Sequence, residues 1–228
     1  MTGFRPIAIV GQACLLPGAH SPEELWTAVL GGRDLLARAS AATWQVADQR
    51  RLMRTDAGAP PAERIPTNRG GYVTGFEQVF DPSAHRLERA LVEGLDPLCQ
   101  WLLHVGRAAL ADAGFEPGQR VRGGAVIGNL SYPTYALNAV ATAVWAEEWL
   151  GKARVRAAGL ASPERLNRFM SGLPANLLCE SLQLTRGGFM VDAACASSLY
   201  AIKFSPQFNL LNIPRIQRAL AKRRAILT

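Results

Sequence analysis

Between Asp96 and Gly114 the apolar positions Leu98, Trp101, Leu102, Val105 and Ala109 recur at intervals of three and four, with Asp96-Pro97 in front and Gly114 behind. That spacing lays one apolar stripe along a helix; Asp96 can cap its free N–H groups, and proline suits a first turn in which its missing N–H is not needed. This is the clearest helix in the chain. Around it the pattern alternates. Ile7 to Val10 reads as a short strand closed by Gly11, and Ser21-Pro22-Glu23-Glu24 is a capping box opening a helix that Gly31-Gly32 ends. Gly124-Ala125-Val126-Ile127-Gly128 reads as a buried strand, Tyr135 to Leu150 as a helix, and Ser162-Pro163-Glu164 as the start of another. A further helix is expected over Ala175 to Leu184, before Gly187-Gly188 turns the chain into strand Phe189 to Asp192. From Ala37 to Arg69 no period holds, so a long surface excursion is expected, with order resuming at Gly70-Gly71-Tyr72-Val73. Strands separated by helices of these lengths predict an α/β layered domain with a mostly parallel sheet.

Composition agrees with that picture. With 228 residues, 49% hydrophobic and 19% charged, the chain can bury one substantial core or two small ones. Its first residues lack the pattern of an export signal, so a cytoplasmic location with reduced thiols is expected. The uncharged run Gly123 to Ala146 is interrupted by Asn129, Ser131, Tyr132, Pro133, Thr134 and Asn138, which fits strand, turn and helix better than a membrane span. Of the net charge of +7, five units lie on Arg215, Arg218, Lys222, Arg223 and Arg224, leaving +2 before Phe204. A body so weakly basic argues against nucleic acid as a partner.

Cys14, Cys99, Cys179 and Cys195 include no pair at metal-binding spacing, and His20, His85 and His104 lie apart from them, so neither a metal nor a cofactor is expected. Only Cys195 has unusual neighbours. Phe189-Met190-Val191 reads as a strand, Asp192-Ala193-Ala194 as a tight connection, and Cys195 falls at the first turn of a helix carried by Ala196, Leu199, Tyr200 and Ile202. At that position free backbone N–H groups and the positive end of the helix dipole favour thiolate over thiol, and small neighbours leave the sulfur open to a substrate. Cys195 then reads as a nucleophile; the other reading of the same spacing is a buried cysteine at a tight strand-to-helix packing point.

VDAACASSL resembles the nucleophile motif of the β-ketoacyl synthases, the condensing enzymes of fatty-acid and polyketide synthesis, which share the thiolase-like fold. Four further stretches match in order: PIAIVGQACLLPGAHSPEELWTAVLGGRD, GGYVTGFEQVFDPS, LDPLCQWLLHVGRAALADAGF and SGLPANLLCESLQLTRGGFMVD. Together they cover roughly Arg5 to Lys203. LDPLCQWLLHV and ACASSLYAIK look closer to iterative polyketide or polyunsaturated fatty-acid synthases. The resemblance implies that Cys195 takes an acyl chain from an acyl carrier protein or coenzyme A thioester, after which a malonyl thioester loses carbon dioxide and attacks the acyl-cysteine. Two histidines and a lysine of the family's second half serve that later step. His20, His85 and His104 match neither histidine motif and read as surface or packing residues.

The chain is accordingly expected to be an incomplete N-terminal half: a truncated β-ketoacyl synthase domain over 1–203 and a non-family basic tail over 204–228. The missing C-terminal half is its implied partner, the homodimer interface is expected to be incomplete, and condensation by the chain alone is not expected. A non-catalytic remnant or a carrier-protein-binding module is the alternative. Pro206 should stop the Cys195 helix near Phe204. The tail reads either as a basic amphipathic helix, with Ile213, Ile216, Leu220 and Leu227 on one face, or as out-of-frame sequence. In the fold, Ile7 to Val10, Ala125 to Ile127 and Phe189 to Val191 should share one sheet with the Cys195 helix buried behind it, and the other three cysteines should be packed.

Overall fold

The computed structural model describes residues 8–40, 65–130, 134–157 and 164–205. The chain divides into two compact units, Cys14–Val79 and a larger one combining Met1–Ala13 with Phe80–Thr228.

In the smaller unit, helix α1 (Pro22–Leu30) begins where the capping box predicts. The Ser21 hydroxyl accepts the Glu24 N–H at 3.1 Å, while the Glu24 carboxylate reaches back to the His20 N–H at 2.7 Å, one residue before the cap. Gly32, at φ +60°, ends it with a left-handed residue that only glycine adopts without strain. The excursion after it is closed at its base by a two-residue antiparallel ladder, β1 (Ala37–Arg38) with β2 (Arg69–Gly70). The Arg69 guanidinium adds bonds to the Asp34 carboxylate and the Leu36 carbonyl. The middle of the excursion, 41–64, lies outside the described residues.

The larger unit contains helices α2 (Arg89–Gly94), α3 (Pro97–Asp112), α4 (Tyr135–Leu150), α5 (Lys152–Ala157), α6 (Leu173–Ser181) and α7 (Ser197–Phe204). Strands β3 (Ala125–Gly128) and β4 (Gly188–Val191) lie among them. Asp96 caps α3 as expected, accepting the Leu98 N–H at 2.9 Å. Its own N–H goes to Asn167, whose amide also holds the Gly94 carbonyl, so one buried asparagine ties the α2–α3 joint to the 3₁₀ turn Arg165–Phe169. Val92, Leu103, Ala125, Leu178 and Cys179 form one buried cluster, and Leu95, Cys99, Met170 and Leu177 a second. Interdigitated apolar side chains of this kind supply most of the stability of a small layered domain.

β3 and β4 pair in parallel, from Ala125 opposite Gly188 to Gly128 opposite Val191. The mostly parallel sheet is therefore present as this pair, but residues 8–10 of the expected strand do not join it. Residues 8–10 carry no strand, and Ile7 lies outside the described residues. The chain there is drawn instead onto the end of α3: the Gln12 N–H bonds the Asp112 carboxylate at 2.8 Å, and Gly11 lies so close to Ala109 and Ala113 that any Cβ would overlap them. α6 ends at Ser181, short of Leu184, because Gln183 turns to φ +52° and sends the chain into a bridge between Leu184 and Val121. Ser162-Pro163 lies outside the described residues, and Glu164 caps a 3₁₀ turn rather than an α-helix.

α7 stops at Phe204, as Pro206 predicts, and residues 206–228 lie outside the described residues. It is not buried behind the sheet. Of its residues only Ser197 is buried, while Leu199, Tyr200 and Ile202 are 67%, 42% and 52% exposed, because the helix meets the parallel pair through Ser197 at its start and the Phe204 ring against Phe189 at its end and leaves its outer face open. Among the described residues no helix is long and apolar enough to cross a membrane.

Candidate active site

Both strands of the parallel pair end on one side, where Gly128 faces Val191 and the chain turns from β4 into α7. A parallel pair followed by a helix delivers its connecting turn to the carboxyl edge of the strands, where such folds place ligands. Cys195 lies in that turn. The turn is a 3₁₀ segment, Ala194–Ala196, so α7 starts two residues after the cysteine rather than at it. The displacement comes from Ala194, which at φ +50° has a left-handed backbone that cannot continue into an α-helix.

Five hydrogen bonds close the turn. The Asp192 carboxylate accepts the Ala194 N–H at 3.1 Å, and the Ala193 carbonyl accepts the Ala196 N–H at 3.0 Å. The buried Ser197 hydroxyl accepts the Ala193 N–H at 2.9 Å and donates to the Ala194 carbonyl at 2.7 Å. The Ser197 N–H goes to that same carbonyl. These bonds use the N–H groups of Ala193, Ala194, Ala196 and Ser197; the Cys195 N–H is not among them. An exposed thiol beside an N–H that no bond among the described residues uses can attack a carbonyl and steady the oxygen as it becomes negative.

The remaining cysteines offer nothing comparable. Cys99 and Cys179 are buried, and burial pushes both thiols up, Cys99 to about 12 with help from the Asp96 carboxylate. Cys14 is only half-buried, not packed as expected, because it lies beside the exposed first turn of α1; burial first, then Glu23 and Glu24, raise its thiol. The histidines also stand elsewhere. His85 is buried, stacked on Phe80 and bonded through Nδ1 to the Ser181 hydroxyl at 3.1 Å; burial, Arg107 and His104 hold its imidazole toward the neutral form. His20 holds the Thr74 carbonyl at 2.9 Å through Nε2, and His104 lies in α3.

Two residues of the site escape pattern reading. Ser197 looks like one of two interchangeable serines, yet its hydroxyl clasps the turn. Gly128 ends β3 where a Cβ would lie 2.7 Å from the Ser197 carbonyl carbon, so the strand can approach the turn only without a side chain. A glycine ending an apolar run was the available signal for the second; the first had none.

The family model described as "Beta-ketoacyl synthase, N-terminal domain" matches residues 4–208. Mycoketide-CoA synthase of Mycobacterium tuberculosis is 31% identical over 203 residues, covering 88% of this chain and 4% of that protein. 6-Methylsalicylic acid synthase of Aspergillus terreus is 30% identical over 204 residues, covering 88% of this chain and 10% of that protein. Thus the chain spans a tenth or less of these curated relatives. Among solved structures, the PfaC keto synthase-chain length factor superposes with a TM-score of 0.73 at 29% identity, over 87% of this chain and 22% of that one. The oxazolomycin ketosynthase domain OzmH KS7 of Streptomyces albus shares the fold, with a TM-score of 0.63 at 20% identity over 93% of this chain and 36% of its own.

Proposed function

This chain belongs to the β-ketoacyl synthase N-terminal domain family and has its layered, thiolase-like fold, and on that premise we propose that it carries the acyl-loading half of a ketosynthase reaction. The observation that carries the proposal is Cys195, exposed in the turn at the carboxyl edge of the parallel pair, with its own N–H in no bond among the described residues. Its thiol loses a proton and the sulfur attacks the carbonyl of an acyl thioester borne by a carrier protein or coenzyme A. The oxygen becomes negative and draws on the Cys195 N–H. The carbon–sulfur bond to the carrier then breaks, the leaving thiolate takes up a proton, and the acyl group remains on Cys195 as a new thioester. Polyketide or fatty-acid assembly is the setting that the relatives suggest.

The later condensation is assigned to groups outside this chain. Decarboxylating a malonyl thioester needs donors that hold the enolate oxygen as it forms, and His85 and His20 already serve packing and loop bonds while His104 stands on α3. Incubation of the full chain with octanoyl-coenzyme A, followed by intact and peptide mass analysis, should place one octanoyl group on Cys195 and none on Cys195→Ala. Malonyl-coenzyme A should release no carbon dioxide. A chain whose Cys195 alkylates readily but never accepts octanoyl would be the non-catalytic remnant or carrier-binding module, and carbon dioxide release by the pure chain would overturn the division of labour.

A further inference from the structure

The larger unit holds a concave site apart from the Cys195 turn. One face of α3 presents His104, Arg107, Ala108 and Ala111 at helical spacing, and the two alanines leave a hollow of about 290 Å³ between that face and the Phe115–Val121 turn. Buried Phe115, Val121 and Ser181 form its floor, and exposed Arg86, Arg107 and Glu116 stand at its mouth. At about 30 Å³ per water-sized group, the hollow takes roughly ten non-hydrogen atoms.

Its chemistry is one-sided. Two guanidiniums face a single carboxylate, Glu116, among the described lining residues. Neither Arg86 nor Arg107 is in an ion pair among the described residues. The nearby Asp81 carboxylate, which attracts Arg107, is committed to the Ser83 N–H and hydroxyl at 2.9 and 2.6 Å. Below the cations the walls are apolar, with Leu110, Phe115 and Leu182. A cationic mouth over an apolar floor selects a ligand with an anionic head and a short hydrocarbon body, since guanidinium–carboxylate hydrogen bonds are the strong ones and the body gains by leaving water.

We propose that this hollow is a binding site for a small amphipathic monocarboxylate, held by Arg107 and Arg86 at its mouth with its body against Phe115 and Leu182.

Calorimetric titration of the full chain tests this with benzoate, its neutral isostere benzamide, and inorganic phosphate, an anion without a body. Benzoate should bind, and benzamide and phosphate should each bind at least about tenfold more weakly. Arg107→Gln should weaken benzoate by a similar factor, Glu116→Gln should tighten it, and Ala111→Trp, at an exposed lining position, should abolish it. None of these should alter the alkylation rate of Cys195, which also reports that each variant is folded. Equal binding of benzoate and benzamide, phosphate binding as well as benzoate, no benzoate binding at millimolar concentration, or benzoate affinity unchanged in both Arg107→Gln and Ala111→Trp would each overturn the proposal.

Discussion

Gly128 and Ser197 meet backbone to backbone: a Cβ on Gly128 would sit 2.7 Å from the Ser197 carbonyl carbon and 2.8 Å from the Ser198 nitrogen. The end of a strand and the start of the helix that follows Cys195 are thus held at a spacing that no side chain permits. Gly128→Ala has to push that helix start away, because both contacts are main chain and cannot swing aside. Overpacking of this kind costs about 1–3 kcal/mol, and the upper end is expected here. The denaturation midpoint should fall accordingly and octanoyl transfer to Cys195 should slow; an unchanged midpoint would mean that the two backbones are not in contact.

Ala194 stands at φ +50°, where an L-residue with a Cβ is strained by about 1 kcal/mol and glycine is not. Ala194→Gly should therefore hold or slightly raise stability, whereas Ala194→Val, with its branch at Cβ, should lower it by about 2 kcal/mol. Paired chemical melts of the two variants check the sign. If valine is tolerated as well as glycine, the turn does not have this backbone.

How far the site could be read from sequence follows from which forces are local. The α3 and α4 helices were legible at their starts because Asp96 and Thr134 bond N–H groups two and three residues away, within the window that a pattern covers. The α6 start was misplaced by two residues although Pro174, in its first turn, was the available marker. β3 and β4 were legible as apolar runs between glycines, but pairing is not local: Ile7 to Val10 has the same apolar look, yet residues 8–10 carry no strand and the chain after them is drawn to the end of α3 through Gly11 and Gln12. Cys195 could be found because small residues around a lone thiol are unusual. The two-residue delay before its helix could not, since it depends on the left-handed backbone of Ala194 and on a hydroxyl at Ser197 that reaches two main-chain groups.

Reactivity and alkaline stability should separate the cysteines. Iodoacetamide should label exposed Cys195 first, half-buried Cys14 next, and Cys179 and Cys99 only as the chain opens. Cys99, raised to about 12 from 9.0, stays protonated in the folded chain while an unfolded copy ionises. Its contribution is complete below pH 9 and is lost as pH climbs toward 12, at up to about 1.4 kcal/mol per pH unit. In Cys99→Ala the stability curve above pH 9 should be flatter than in the parent; parallel curves would mean that the thiol is solvated.

His85 predicts the opposite limb. Its imidazole is held below the ordinary 6.5 by burial, Arg107 and His104, so on acidification the unfolded chain takes up a proton that the folded one refuses. The folded state keeps this contribution above pH 6.5 and loses it as pH falls through the lowered value. Denaturant midpoints at neutral and mildly acid pH should drop further for the parent than for His85→Gln, which keeps a hydrogen-bonding group near Ser181 but cannot titrate. Equal drops would show that the ring is free to protonate in place.

The two-residue ladder at the foot of the excursion fixes where the chain departs and returns. Because Ala37 sits opposite Gly70 and Arg38 opposite Arg69, with Arg69 also tied to Asp34, the chain leaves and re-enters at adjacent points whatever it does in between. Closing a longer loop over a fixed stem adds only about 0.6 kcal/mol for each doubling of its length. Lengthening the chain between the two strands should therefore cost the closure of this stem little, which the denaturation midpoints of insertion variants would check.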